Sequence, residues 1–198
     1  ARETAGRVAA GSIALKLLGE LGIEACARVV SMAGVECGAG MDWNRLDALD
    51  ESPLRIFDQS AEDQIIDAVD AAKERGDTIG GVVEARFRGV PIGLGTYTQW
   101  DRKLDGRLAQ AVMSIQAMKG CEIGDGWRAS TLPGSAVHDA IVGSDAARYQ
   151  RASNRSGGLE GGMTNGEELV VRAAMKPIAT LMQPLQTVEV VTHDPVAA

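Results

Sequence analysis

Histidine is nearly absent from this 198-residue chain: His138 and His193 are the only two, too few for a histidine-based zinc site. Cysteine is scarce as well. Cys26, Cys37 and Cys121 make no Cys-x-x-Cys pair, and one is left over in any disulfide scheme. Without a disulfide framework, a reducing, cytoplasmic setting is expected. Aromatic residues amount to 4%, which leaves little on which bases could stack. A basic excess is missing too: 20 Lys and Arg against 27 Asp and Glu give a net charge of −7, the opposite of a nucleic-acid-binding face. No run approaches the roughly 18 apolar residues that cross a bilayer. The charged start also lacks the apolar stretch of a signal peptide. Neither a nucleic acid nor a membrane is expected as a partner.

What is present is an ordinary globular composition, 45% hydrophobic and 24% charged, of a length that suits a single domain over residues 1–198. The chain begins without methionine and enters a helical pattern at once, so it reads as a piece of a longer protein. Glycine is the outlier. There are 24, well above the usual share of about 7%, which implies tight turns and close backbone approaches.

Residues 3–21 read as a helix ending at Gly22, rich in alanine and glycine and expected to be buried. Residues 23–33 alternate as a half-buried strand. Residues 32–57 hold scattered glycines, acids and Pro53 and read as a variable surface insertion. Ser60 is placed to cap a second helix, with Ile65, Ile66, Val69 and Ala72 on one face and Gly76 at its end. Residues 78–88 read as a strand, with Val83, Ala85 and Phe87 opposite Glu84, Arg86 and Arg88. A third helix is expected over residues 104–118, a short strand around Cys121, and strands over 168–175 and 186–191. The sum is a mixed α/β (α+β) chain with antiparallel connections.

Nucleotide signatures fail: there is no GxxxxGK[ST], and Gly89, Gly93 and Gly95 do not open a helix as a GxGxxG would. Ser135, His138 and Asp139 lie too close together for a hydrolase relay, and no G-x-S-x-G surrounds Ser135. Two segments carry more. Residues 153–166 place two glycine doublets among polar donors, which suits either an anion or planar ligand, or simply a pair of tight turns. Met175-Lys-Pro-Ile-Ala-Thr180 sets a cation and a hydroxyl beside a rigid turn, which suits either a phosphate or a solvated strand end.

At these residues the sequence resembles the chorismate synthase family. The likeness runs through Ala1-Arg-Glu-Thr-Ala5, Arg7-Val-Ala-Ala-Gly11, Gly76-Asp-Thr-Ile-Gly-Gly-Val-Val-Glu84 and Gly89-Val-Pro-Ile-Gly-Leu-Gly95. It continues through Asp101-Arg-Lys-Leu-Asp105, Met113-Ser-Ile-Gln-Ala-Met-Lys-Gly120, Glu122-Ile-Gly-Asp-Gly126, Gly134-Ser135 with His138-Asp139, the doublets to Gly166, and Ala174-Met-Lys-Pro-Ile178. About two thirds of the chain is covered in order; residues 32–57 and 145–152 match poorly. The resemblance implies a lyase that eliminates phosphate from 5-enolpyruvylshikimate 3-phosphate to give chorismate, the last step of the shikimate pathway. It implies a requirement for reduced FMN, and for NADPH where the enzyme reduces its own flavin. It also implies a layered β-α-β sandwich with antiparallel sheets around a helical layer, and a homotetramer.

Carried over position by position, the resemblance implies that Arg2 grips anionic groups of the substrate, and that Gln116, Ala117, Gly161, Lys176, Pro177, Ile178, Ala179 and Thr180 contact the flavin. No metal is implied. The family's general-acid histidines match no residue here, so no catalytic residue is assigned within this chain, and alone it is expected to be inactive. Two other readings use the same residues: a non-catalytic, self-associating fragment, and an FMN-binding module of another kind.

Overall fold

A computed structural model describes residues 2–143 and 149–197; of the poorly matching stretch 145–152, residues 145–148 lie outside the described residues, as does Ala1. The elements in order are α1 (Arg2–Glu20), β1 (Glu24–Met32), β2 (Val35–Glu36), α2 (Leu46–Glu51), α3 (Gln59–Glu74), β3 (Gly81–Arg88), α4 (Leu104–Met113) and β4 (Met118–Ile123). There follow α5 (Gly126–Ala129), α6 (Gly134–Val137), β5 (Ile141–Val142), β6 (Gln150–Arg151), β7 (Leu159–Glu160), β8 (Met163–Thr164), β9 (Leu169–Met175), β10 (Gln186–Val188) and β11 (Pro195–Ala197). Five strands hydrogen-bond in the order β2-β1-β3-β9-β4, and three two-stranded ribbons accompany them. The β1–β2, β5–β6, β7–β8 and β10–β11 pairs are antiparallel. The protein is a mixed α/β fold with antiparallel pairing.

The chain divides into two compact units, one of Ala1–Arg28 and Val83–Ala174, the other of Val29–Val82 and Met175–Ala198. The first is built on Ile23, Val90, Leu159 and Leu169, with Leu18, Phe87, Leu104, Leu108 and Ile123 packed against them. Leu169, Val170 and Val171 are successive buried residues of β9, as befits a strand covered on both faces. The second unit closes around Cys37, Ile56, Ala61 and Ile65, with Val29, Met32, Val35 and Leu54 beside them.

Several local expectations are corrected by this arrangement. The helix at residues 2–20 forms, but it has no buried residue; Val8, Ile13 and Leu17 are 64%, 73% and 63% exposed. Small side chains permit close packing but do not supply a partner, and only Leu18 reaches the first core. Within residues 32–57, Cys37, Leu49 and Ile56 are buried, so that segment contributes core rather than only surface. The cap of α3 is Asp58, whose carboxylate accepts the N–H of Ala61 at 3.1 Å, one residue pair upstream of the Ser60 expectation; an N-cap needs its oxygen over the N3 amide. Glu62 of α3 is buried and accepts from the Ser52 hydroxyl and the Leu54 N–H. The third helix ends at Met113, short of residue 118, because residues 114–117 turn the chain into β4.

Candidate functional site

Arg2, Gln116, Ala117 and Gly161 lie in the first unit, and residues 176–180 in the second. In the first unit, α1 begins at Arg2, which is exposed. The next residue, Glu3, reaches the turn that follows α4: its Oε2 accepts the Gln116 Nε2–H at 3.2 Å. Its Oε1 accepts from Arg7 Nε and Nη2 at 3.1 and 2.8 Å. Arg7 in turn donates from Nη1 to the Ser114 hydroxyl at 3.1 Å and from Nη2 to the Ser114 carbonyl at 3.2 Å. The structure thus brings Glu3, next to Arg2 at the start of α1, to Gln116. Ala117 has φ +68°, a conformation a non-glycine residue seldom adopts.

Gly161 also belongs to the first unit. With Gly162 it forms a two-residue connection between β7 and β8, where Glu160 pairs with Met163. Their φ values of +60° and +88° are what a tight hairpin of this length demands. A methyl built on Gly161 would meet nothing within 4 Å, whereas one on Gly162 would lie 2.8 Å from the Thr96 carbonyl oxygen, so of the two only Gly161 has open space at its Cα. The first doublet is different. Gly157 N–H donates to the Asn154 carbonyl at 3.3 Å and Gly158 N–H to Asn154 Oδ1 at 2.8 Å. Those amides are already engaged, which removes the first doublet as an anion cradle and leaves it as a turn.

The doublet loop is anchored by Asp139. Its carboxylate is buried and accepts from the Ser153 hydroxyl at 2.5 Å and from the N–H groups of Arg155 and Ser156, each at 2.9 Å. Asp139 is therefore committed to the loop, and no relay through His138 is built on it. Burial pushes the Asp139 carboxyl up, but the Ser153 hydroxyl and the Ser156 and Arg155 amides outweigh it and hold the pKa below the ordinary value. A carboxyl depressed in this way contributes stability in full above its unfolded pKa of about 3.9, lost as pH falls through the lower folded value. Replacing Asp139 by Asn is expected to cost about 1–3 kcal/mol at pH 7. Urea denaturation should show that difference shrinking as the pH falls below about 4, the ordinary carboxyl value. A gap that is the same at pH 7 and pH 3 would contradict the assignment.

In the second unit, residues 176–180 follow β9 and are exposed throughout. Their course is set by residues 76–78: Thr78 Oγ1 donates to the Ile178 carbonyl at 2.7 Å, and Met182 N–H donates to the Gly76 carbonyl at 3.1 Å. Lys176 and Thr180 are thereby displayed to solvent beside Pro177, Ile178 and Ala179. Among the described residues no cluster of His, Cys, Asp and Glu could hold a metal, and no helix is long and apolar enough to cross a membrane.

Sequence reasoning missed the charged centre of the first unit. Glu84, 1% exposed, accepts from Arg28 Nη2 at 3.0 Å, Arg86 Nε at 2.8 Å and Arg172 Nε at 2.9 Å. Arg86 also pairs with Glu168 at 3.1 Å, and Arg172 with Glu122 at 3.2 Å and the Gly124 carbonyl at 3.0 Å. Burial raises the Glu84 pKa, yet Arg86 and Arg28 more than reverse it and keep the group below its ordinary value.

These features define a mixed α/β protein with antiparallel sheets, an exposed Gly161 turn, an exposed Lys-Pro loop and a buried charge cluster around Glu84. The profile of the chorismate synthase family matches residues 1–198. Chorismate synthases of Thermus thermophilus and Moorella thermoacetica are 57% and 54% identical over 195 and 198 residues, covering 98% and 100% of this chain but 51% and 52% of theirs. A crystal structure of a chorismate synthase superimposes with a TM-score of 0.83 at 45% identity, over 90% of this chain and 56% of that one. The chain belongs to the chorismate synthase family, and it spans about half the length of these relatives.

Proposed function

We propose that the chain supplies part of an enzyme that converts 5-enolpyruvylshikimate 3-phosphate to chorismate and phosphate by anti-1,4 elimination, the closing step of the shikimate pathway. The observation that carries this reading is the family match over residues 1–198. The complete enzyme is a layered β-α-β sandwich and a homotetramer, working in a reducing cytoplasm, in keeping with the small number of cysteines in this chain.

The residues present fit a flavin. In the first unit Gly161 offers open backbone to a planar group; in the second, the exposed Lys176 and Thr180 offer a cation and a hydroxyl of the kind an anionic group takes. Gln116 and Ala117 in the first unit, and Pro177, Ile178 and Ala179 in the second, are the other residues that the family resemblance gives as flavin contacts. The chemistry supplied by reduced FMN, when bound, is transient electron donation without net redox change; NADPH restores the reduced state where the enzyme is its own reductase. Arg2 presents a guanidinium fork to an anionic group of the substrate and orients it. Neutralising charge and excluding water are the protein's share of such a reaction. Alone, residues 1–198 are inactive, since no histidine here stands at a family general-acid position; chorismate formed by the pure chain with reduced FMN would overturn that.

The test is quenching of FMN fluorescence with and without the phosphorylated substrate. Lys176→Ala is expected to weaken binding about 10- to 100-fold, the range for loss of a charge-assisted hydrogen bond. Gly161→Ala, whose methyl meets no protein atom, is expected to weaken binding while shifting stability by only about 1–2 kcal/mol from its left-handed backbone. Wild-type affinity in both variants would remove these residues from the site. One observation favours the second reading, a self-associating module: the exposed Val8, Ile13 and Leu17 of α1. Sedimentation of an inactive but oligomeric chain that ignores FMN would support it.

A further inference from the structure

The turn at residues 114–117 is held from outside, at two points, by one helix. Arg7 grips Ser114 through both its hydroxyl and its carbonyl, a cation at the C-terminal end of α4 where free carbonyls gather. Glu3, one helical turn earlier on α1, takes the side chain of Gln116 from 113 residues away. Glu3 and Arg7 also bind each other, so neither grip is independent of the other. Between the grips and β4 sits Ala117 with its left-handed backbone. Such a conformation persists only where the surroundings over-determine it, and it gathers at ligand sites.

We propose that Glu3 is a positioning residue: its carboxylate, oriented by Arg7, fixes the Gln116 amide and with it the Gln116-Ala117 turn that is presented to the flavin. The inference rests on the reading of Gln116 and Ala117 as flavin contacts. A carboxylate only accepts hydrogen bonds, so it must face the NH2 end of the Gln116 amide. The carbonyl oxygen and the second N–H of that amide remain for a ligand. Without Glu3 the amide can rotate and offer either end. A merely structural role fits less well, because Arg7 already caps α4 through Ser114, and exposed ion pairs contribute little to stability.

The experiment is a double-mutant cycle on FMN affinity, read by fluorescence in the complete polypeptide that carries residues 1–198. Glu3→Ala is expected to weaken FMN binding three- to tenfold with an unchanged melting temperature. Gln116→Ala should weaken it comparably. The double variant should bind no more weakly than Gln116→Ala alone, since the two groups act as a unit. Should Glu3→Ala fail to fold, the isosteric Glu3→Gln replaces it in the cycle. Additive losses, or wild-type affinity in Glu3→Ala when Gln116→Ala is weakened, would overturn the positioning role. Wild-type affinity in Gln116→Ala would instead overturn the flavin-contact reading beneath it.

Discussion

Replacing Glu84 by alanine is expected to destabilise the protein by about 3–5 kcal/mol, the cost of breaking a buried ion pair from one side. Glu84 is the common acceptor of three guanidinium groups, and its side chain is almost wholly removed from water. Arg28 is 7% exposed and Arg86 and Arg172 are 23% and 29% exposed. With the carboxylate gone, three cations lose their common acceptor, while Arg86 keeps Glu168 and Arg172 keeps Glu122. Glu84→Gln keeps the volume but turns an N–H toward the guanidinium donors, so it should recover little. The control is Arg88→Ala. Arg88 sits four residues further along β3 and pairs with Glu24 on the surface, where solvent screens the interaction. Urea midpoints decide the matter: a Glu84→Ala midpoint no lower than that of Arg88→Ala would show that the cluster is energetically idle.

Glu84 also marks the limit of what the sequence discloses. Alternation along residues 83–88 is plain, and it correctly implies a strand, but it sorts residues by polarity. Glu84, Arg86 and Arg88 therefore fall on one face that reads as solvated. The partners that bury Glu84, Arg28 and Arg172, are 56 and 88 residues away, and pairing at that distance leaves no trace in a local pattern. The reverse error occurs in α1, where alanine and glycine imply close packing although no residue is buried. Periodicity records what a segment could bury, not what covers it. By contrast, Gly22 and Gly76 end their helices as expected, with φ +76° and +67°. Those requirements are local, so the residue type carries them. The candidate site divides the same way. Arg2, Gln116, Gly161 and the Lys176 loop are accessible through motif resemblance, whereas the Glu3–Gln116 link and the grip of Asp139 on the doublet loop exist only once the chain has folded.

The Gly124→Ala variant should be the second most damaging substitution. Gly124 leaves β4 with φ +59°, and a methyl there would lie 2.2 Å from the Arg155 carbonyl oxygen and 2.5 Å from the Gly157 nitrogen. Both atoms are backbone, so no side chain can swing aside. The approach is reciprocal: a methyl on Gly157 would come within 2.3 Å of the Gly124 nitrogen. Hydrogen bonds fix the two segments where they meet. Gly124 N–H donates to the Val170 carbonyl at 3.0 Å, Asp125 N–H to the Arg155 carbonyl at 2.7 Å, and Val170 N–H to the Gly157 carbonyl at 3.1 Å. Left-handed backbone strain of about 1–2 kcal/mol adds to overpacking of about 1–3 kcal/mol, an expected loss of about 2–5 kcal/mol. Gly161→Ala supplies the internal comparison, since it carries the same backbone strain without the collision. Denaturation of the two variants side by side therefore separates close approach from conformation. Equal losses would mean that the two backbones part readily, and that the first glycine doublet is not locked to the end of β4. A larger loss in Gly124→Ala would establish why that doublet serves as structure, leaving Gly161 as the glycine turn open to a ligand.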